Sequence, residues 1–331
     1  MRQRATRRLL AATLLFTGFA TAHAETPAIM VVTSDPQYPW TDETDRGGDT
    51  DNARAEALVR EQYESIARFR EAHPFQRIPV IVNGDLTSHG FVWEHQKMDE
   101  LLRILGDNVY LGLGNHDYQN NLSNNVPCRI LTCAMESLDL LSAHVRGHQM
   151  QNRVLGMDQR TYDAGGGAIG KQGSWAYGFV PDGWSRVVNI QLNNSPTYSA
   201  DIFSARYEYH VTPSVPWLAQ KLPEWDQPTT ADFVLLHAHK PSYWTNPPSA
   251  ELVELIGKHR VKAVFAGHFH RDMGVEVLPS FWSFVPVFNS GSASQRTYLI
   301  VEHWPESRRL KVYGVRDNDW QSKELLKEIE V

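Results

Sequence analysis

Residues 78–87, with the sequence IPVIVNGDLT, decide the fold of this chain. The apolar run at 78–83 is typical of a buried strand, and Asp85 follows just past its end. Gly84 allows the backbone to turn between the strand and the carboxylate. This segment therefore predicts a charged side chain at the edge of a buried sheet.

Four other segments repeat this arrangement of an apolar run followed by side chains of the kinds that bind metals. They are SDPQ at 34–37, GNHD at 114–117, HAHKP at 237–241 and GHFH at 267–270. In sheets of parallel strands, ligands collect beyond the carboxyl ends of the strands. We therefore expect these side chains to gather at one edge of a sheet. Carboxylate, amide and imidazole groups together suit a pair of divalent ions such as manganese, iron or zinc. Two metals about 3.5–4 Å apart commonly serve displacement at phosphorus.

The periodicity of apolar residues predicts an α/β fold. Helical spacing at 53–70 and 91–105 alternates with strands at 29–33, 78–83 and 109–113, which implies parallel strands with right-handed crossovers. Further strands are predicted at 174–179, 187–192, 232–236, 261–266, 285–290, 297–301 and 310–315. We therefore expect one domain over residues 25–331, a sandwich of two β-sheets flanked by helices.

The first 24 residues are typical of a secretory signal peptide. Arginines at positions 2, 4, 7 and 8 precede an apolar stretch at 9–20, and Ala22-His23-Ala24 fits a cleavage site. The segment 6–10, TRRLL, also resembles a twin-arginine signal, so both export routes stay open. We expect the mature protein to be periplasmic or secreted.

The composition of the chain excludes some partners. The net charge of −6 becomes more negative when residues 1–24, with four arginines and no acidic residue, are removed. An acidic protein is poorly suited to a nucleic-acid polymer, so we expect none as partner. No apolar run near 18 residues follows residue 24, so we expect no membrane span in the mature chain.

Residues 118–175 interrupt the regular pattern. They contain several asparagines, Gly165-Gly166-Gly167 and one predicted short helix at 138–145, so we expect an insertion that roofs the site. The only two cysteines, Cys128 and Cys133, lie in it. Export to an oxidising compartment favours a disulfide between them. A zinc site is the weaker alternative, because two thiols supply only half of its ligands.

The five motifs in this order resemble the calcineurin-like metallophosphoesterases. The resemblance extends from about residue 29 to His270 and implies a four-layer α/β/β/α fold with two divalent metals. It implies a first metal held by Asp35, Gln37, Asp85 and His270. It implies a second metal held by Asp85, Asn115, His268 and either His239 or His237. The family often has His-x-Pro at that point, which selects His239, whereas His237 ends the predicted strand more directly.

The resemblance also implies a reaction, hydrolysis of a small phosphate mono- or diester. A hydroxide bridging the metals would attack phosphorus, His116 would protonate the leaving group and Asp117 would hold the ring of His116. Gln37 departs from the usual histidine, and its neutral oxygen shifts the preference of the first metal toward manganese, magnesium or ferrous iron. The alternative is a scaffold that binds a phosphorylated ligand through its metals without turnover.

Overall fold

A computed structural model describes residues 25–122, 132–242 and 249–331. The predicted signal peptide and Cys128 lie outside these residues. Within them, the chain forms helices that cover stacked sheets. The helices are α1 (Asn52–Glu71), α2 (Val92–Leu102), α3 (Cys133–Gln149), α4 (Val215–Trp225), α5 (Ala250–Lys258) and α6 (Pro279–Trp282).

The strands have the following bounds. They are β1 (Ala28–Thr33), β2 (Val80–Val82), β3 (Val109–Leu111), β4 (Val154–Met157), β5 (Arg160–Gly165), β6 (Ala168–Gly173), β7 (Tyr177–Phe179), β8 (Val187–Gln191), β9 (Ala200–Phe203), β10 (Tyr207–Val211), β11 (Phe233–His237), β12 (Val261–Ala266), β13 (Gly274–Val277), β14 (Pro286–Asn289), β15 (Tyr298–Trp304), β16 (Arg309–Val315) and β17 (Glu324–Glu330).

Two large sheets form the centre of the fold. The first has the order β17-β16-β15-β1-β2-β3, and the second β13-β14-β12-β11-β8-β7-β4. β1, β2 and β3 are parallel, as are β8, β11, β12 and β14. The α/β sandwich expected from the sequence is therefore confirmed, and the ends of its parallel strands supply the edge at which the motifs lie.

The alternation of side chains along β11 shows how the layers pack. Phe233 and Leu235 are buried in the apolar cluster that also contains β1 and β2. Val234 and Leu236 belong to the other cluster, with Leu218 of α4. Both faces of the second sheet are thus buried, one against the first sheet and one against helices, as in buried parallel sheets generally.

The described part of the region 118–175, residues 118–122 and 132–175, is more regular than the sequence indicated. The predicted short helix is the 17-residue α3, and β5 and β6 join β9 and β10 in a third, four-stranded sheet of order β5-β6-β10-β9. The glycines in 160–173 and the exposed side chains of β5 hide the period-2 pattern, so this sheet was not predicted. No helix within the described ranges is long and apolar enough to cross a membrane.

Candidate metal centre

Turns that follow parallel strands of the two sheets meet at one edge of the sandwich. The backbone N–H of Asp35 donates to the Gly84 carbonyl at 3.0 Å, and that of Gln37 donates to the Asp85 carbonyl at 2.8 Å. From the second sheet, the N–H of His268 donates to Asp35 Oδ2 at 3.0 Å. These bonds fix the turns of β1, β2 and β12 against one another.

The backbone at this edge is strained. Asp35, Gln37, Asp85 and His268 have φ angles of 52°, 37°, 48° and 71°. Side chains other than glycine rarely adopt this region, and such residues cluster at functional sites. Gly84, with φ of 92°, has no such penalty, but a Cβ there would lie 2.6 Å from the backbone of a neighbouring turn.

Two groups of candidate ligand atoms share one carboxylate. Asp85, His239 and His268 place one ligand atom each within 4.8 Å of one another, and so do Asp35, Asp85 and His270. The Nε2 atom of His239 lies 3.0 Å from Asp85 Oδ2, and that of His270 lies 3.2 Å from Asp35 Oδ1. Asp85 therefore lies where a carboxylate bridging two cations is needed.

Apart from the close histidine–aspartate contacts just given, several buried polar atoms of the predicted ligands have no hydrogen-bond partner in the protein. They are Asp35 Oδ1, Gln37 Oε1 and Nε2, Asp85 Oδ2, Asn115 Oδ1 and His239 Nε2. Buried polar groups are normally paired, because leaving one unpaired costs about 1–3 kcal/mol. A divalent ion satisfies carboxylate, amide and imidazole atoms together, so this donor set fits the expected metals.

The protonation equilibria of the site favour positive charge beside the aspartates. Burial lowers the pKa of His270, but hydrogen bonds to Asp35 and Asp45 outweigh it and raise that pKa to about 10. Burial likewise opposes protonation of His239, whereas the charge of Asp85 raises its pKa above the ordinary value. Burial lowers the pKa of His268 to about 3, which leaves a neutral imidazole. The aspartates thus attract protons where cations would bind.

His116 lies next to the shared carboxylate. It belongs to a π-helical turn, Asn115–Gln119, and its backbone N–H donates to Asp85 Oδ1 at 2.7 Å. Its ring Nδ1 lies 3.0 Å from the carbonyl oxygen of Ser88. Because a carbonyl can only accept, this contact places a proton on Nδ1 and leaves Nε2 available for proton transfer.

The expectation that Asp117 holds the ring of His116 is wrong. Its carboxylate accepts instead from the backbone N–H groups of Leu86, Thr87 and Gly114 at 2.9–3.2 Å, and from the Thr87 hydroxyl at 2.9 Å. Burial, together with the charge of Asp85, raises the pKa of Asp117 to about 7. Asp117 therefore joins the turns after β2 and β3.

The structure places His237 outside the cluster. Its Nε2 lies 2.9 Å from Asn189 Oδ1 within the second sheet, and its ring packs against Phe265. Burial lowers its pKa to about 3. As the last residue of β11, His237 still has the side-chain direction of a strand, whereas His239 lies in the turn beyond it and approaches Asp85.

Asp45 is a residue of this centre that sequence reasoning missed. Its buried carboxylate accepts from His270 Nδ1 at 2.5 Å and from Trp40 Nε1 at 2.7 Å. Ser294 Oγ and Gln295 Nε2 donate to its other oxygen at 2.5 and 2.7 Å. Asp45 lies in a polar loop with no periodic pattern, and His270 is 225 positions away, so no local signal identifies the pair.

Trp40 forms part of the wall of the centre. Its ring meets those of His116 and His270 edge-to-face, with centroid distances of 5.2 and 5.9 Å. Its indole N–H is held by Asp45. One aromatic side chain thus contacts both the predicted proton donor and a predicted ligand.

Comparisons with known proteins agree with this geometry. A family model described as calcineurin-like phosphoesterase matches residues 30–272. No curated protein sequence matches the chain. Among solved structures, a purple acid phosphatase from yellow lupin (Lupinus luteus) seeds has a TM-score of 0.51 and 11% identity. That match covers 92% of this chain and 53% of the lupin protein, so the chain spans about half the length of that enzyme.

Two further solved structures are more distant. The sulfate thiohydrolase SoxB of Thermus thermophilus has 11% identity and a TM-score of 0.43, over 90% of this chain and 58% of its own. The calcineurin-like phosphoesterase YfkN of Bacillus subtilis has 13% identity and a TM-score of 0.35, over 93% and 91%. The family model extends across all five motifs, and the ligand groups lie where the motifs predict. The chain therefore belongs to the calcineurin-like phosphoesterase family.

Proposed function

We propose that this chain hydrolyses a small phosphate mono- or diester with the help of two divalent cations. The observation that carries the proposal is the pair of ligand groups that share Asp85, lined by buried polar atoms without partners. Such a shared carboxylate is the arrangement expected for two cations that act together at one phosphoryl group.

The donor set divides into two positions. Asp35, Gln37, Asp85 and His270 would hold the first cation. Asp85, Asn115, His239 and His268 would hold the second. When bound, the pair supplies Lewis acidity toward phosphoryl oxygens and lowers the pKa of water. Both the oxygen and the nitrogen of the Gln37 amide lack partners, and a neutral oxygen there favours manganese or ferrous iron over zinc at the first position.

His116 is the residue we assign to proton transfer. The Ser88 carbonyl holds the Nδ1 proton, so an imidazolium at His116 would donate its Nε2 proton to the departing oxygen of the ester and return to the neutral Nδ1–H form. The backbone bond to Asp85 keeps this ring close to the reacting group. The presence of His116, which neither ligand set requires, favours a hydrolase over a scaffold that only binds phosphorylated ligands.

We further propose that the protein is exported and that Cys128 pairs with Cys133. The support is the sequence of residues 1–24 and the close spacing of the only two cysteines. Thiol titration of denatured, unreduced protein from the periplasm would find almost no free thiol. Two reactive thiols per chain would refute the pairing.

The activity is tested with purified mature protein loaded with manganese, iron or zinc. Release of p-nitrophenol is measured from p-nitrophenyl phosphate and from its bis ester, with and without a chelator. We expect turnover of at least one ester that the chelator abolishes. Hydrolysis of an alkyl phosphate is measured by the release of phosphate. A protein that binds two metals but turns over none of these esters would favour the binding scaffold.

A further inference from the structure

A polar cluster lies beside the candidate metal centre, where the segments after β8 and β11 meet the turn that carries His116. Lys240 Nζ donates to Gln119 Oε1 at 2.9 Å, and Asn194 Nδ2 donates to the same oxygen at 2.7 Å. The backbone N–H of Lys240 donates to the Asn194 carbonyl at 2.9 Å. Three segments thus hold one ammonium group in place, one residue beyond His239.

The Lys240 ammonium has no carboxylate at ion-pair distance among the described residues, and the shared ligand Asp85 acts on its charge only from farther away. No ion pair involving its ammonium forms within residues 25–122, 132–242 and 249–331, and the remaining stretches contain no aspartate or glutamate. Two other partly buried lysines differ, since Lys171 and Lys323 each lie 2.5 Å from a carboxylate oxygen. Unlike these two lysines, Lys240 keeps its charge free for an anionic ligand at this position.

The same cluster contains a second unsatisfied group. Asn194 is fully buried and its Oδ1 has no hydrogen-bond partner in the protein. The adjacent Ser195, 8% exposed, has an unpaired hydroxyl. The Asn194 oxygen lacks a hydrogen-bond donor, and the neighbouring Lys240 ammonium lacks an ion-pair partner. Together they match a ligand that carries both a hydroxyl and an anionic group.

We propose that Lys240, Gln119 and Asn194 form an anion-binding subsite for a second charged group of the substrate. The phosphoryl group would lie at the metal centre, and Lys240 would bind a carboxylate or a second phosphate on the same molecule. The substrate class is then a hydroxylated organic phosphate with a second anionic group. This inference rests on the proposed function, because it needs a phosphoryl group bound at the cations.

The test measures binding, so it does not depend on turnover. The two probes are ethylphosphonate and phosphonoacetate, which differ only in that the first has a methyl group where the second has a carboxylate. Calorimetry would give the dissociation constant of each for the full mature chain loaded with manganese. The variants are Lys240→Met and Lys240→Arg. The matched control is Lys262→Met, because that lysine lies near the opposite end of β12 and contacts only the Glu330 carbonyl in the described structure.

We expect the wild type to bind phosphonoacetate about tenfold more tightly than ethylphosphonate, as one charge-assisted contact implies. Lys240→Met should reduce this ratio to about two or less. Lys240→Arg should restore part of it, and Lys262→Met should leave it unchanged. A purely structural role for Lys240 would weaken both ligands equally and would lower the unfolding temperature.

Two results would overturn the inference. A preference for phosphonoacetate that persists in Lys240→Met would show that the metals bind the carboxylate directly. Equal binding of the two phosphonates by the wild type would show that no subsite exists, while leaving the proposed function intact. Failure of the metal-loaded wild type to bind either phosphonate would refute both proposals together.

Discussion

Replacing Asp45 with alanine tests whether the loop before α1 controls the first cation position. The carboxylate accepts from four side chains, those of Trp40, His270, Ser294 and Gln295, at 2.5–2.7 Å. Because Nδ1 of His270 is bound to Asp45, its Nε2 is directed at Asp35, 3.2 Å away. Carboxylates behind metal-binding histidines fix ring orientation in this way.

The magnitude follows from these contacts. Losing the carboxylate behind a ligand histidine typically lowers metal affinity about 10–100-fold, or about 1.4–2.7 kcal/mol. Asp45→Ala also leaves buried donors unpaired, each costing about 1–3 kcal/mol unless water replaces the carboxylate. We therefore expect weaker metal binding together with a metal-free protein less stable by about 3 kcal/mol. Asp45→Asn keeps one acceptor oxygen and should show smaller losses of both.

The assay is manganese titration against a competing chelator, with metal content checked by mass spectrometry. The control is Asp42→Ala, since Asp42 lies in the same loop but pairs at the surface with Arg46 and Arg54 at 2.9 and 3.4 Å. The control should bind two metals like the wild type. Wild-type affinity at both positions in Asp45→Ala would refute the argument that Asp45 orients His270.

Four other changes have expected outcomes. Asp85→Asn should lower metal content well below two ions per chain and abolish activity, and two tightly bound ions would disprove the bridge. Gln37→His should keep activity and raise the affinity for zinc relative to manganese, unless the amide has another role. His116→Asn should keep both metals but lower turnover about 10²–10⁴-fold, more for alkyl esters than for p-nitrophenyl esters. Burial lowers the pKa of His95 to about 4, whereas the unfolded chain takes up this proton at about pH 6.5. The contribution of His95 to the unfolding free energy is therefore complete above about pH 6.5 and is lost as the pH falls toward 4. His95→Gln should flatten the dependence of unfolding free energy on pH across that window, and an unchanged slope would contradict it.

The fold was predictable where apolar runs and helical periodicity alternate. β1, β2 and β3 with α1 and α2 follow the expected order, because buried parallel strands and amphipathic helices leave distinct periods in a sequence. The small sheet of β5, β6, β9 and β10 was not predictable, because its strands are glycine-rich or half exposed. Its pairing of β6 with β10 depends on residues about 40 positions apart.

The residues of the candidate site likewise include some that the sequence could predict and others that it could not. Asp35 and Asp85 could be identified because each follows a buried strand whose end fixes its location, whereas His239 was selected over His237 only by the His-x-Pro pattern of the family that the chain resembles. Neighbouring positions in the sequence do not determine where a side chain points. Asp117 was therefore assigned to the ring of its neighbour His116, whereas in the structure it accepts from the backbone of Leu86 and Thr87. Asp45 depends wholly on a tertiary contact.

The strain at the centre and its unpaired atoms have a common explanation. Asp35, Gln37, Asp85 and His268 each hold a backbone conformation that costs about 1–3 kcal/mol. The first three also bury atoms without a protein partner. Within the described protein, contacts with His239 and His270 offset part of the cost of burying the aspartates, and backbone bonds between the two sheets maintain the strained turns. A pair of cations would offset the remaining cost, since each ion would bind unpaired atoms in the strained geometry. The sheets therefore supply the rigidity that holds the proposed ligands in place, and cation binding would supply the free energy that the metal-free edge lacks.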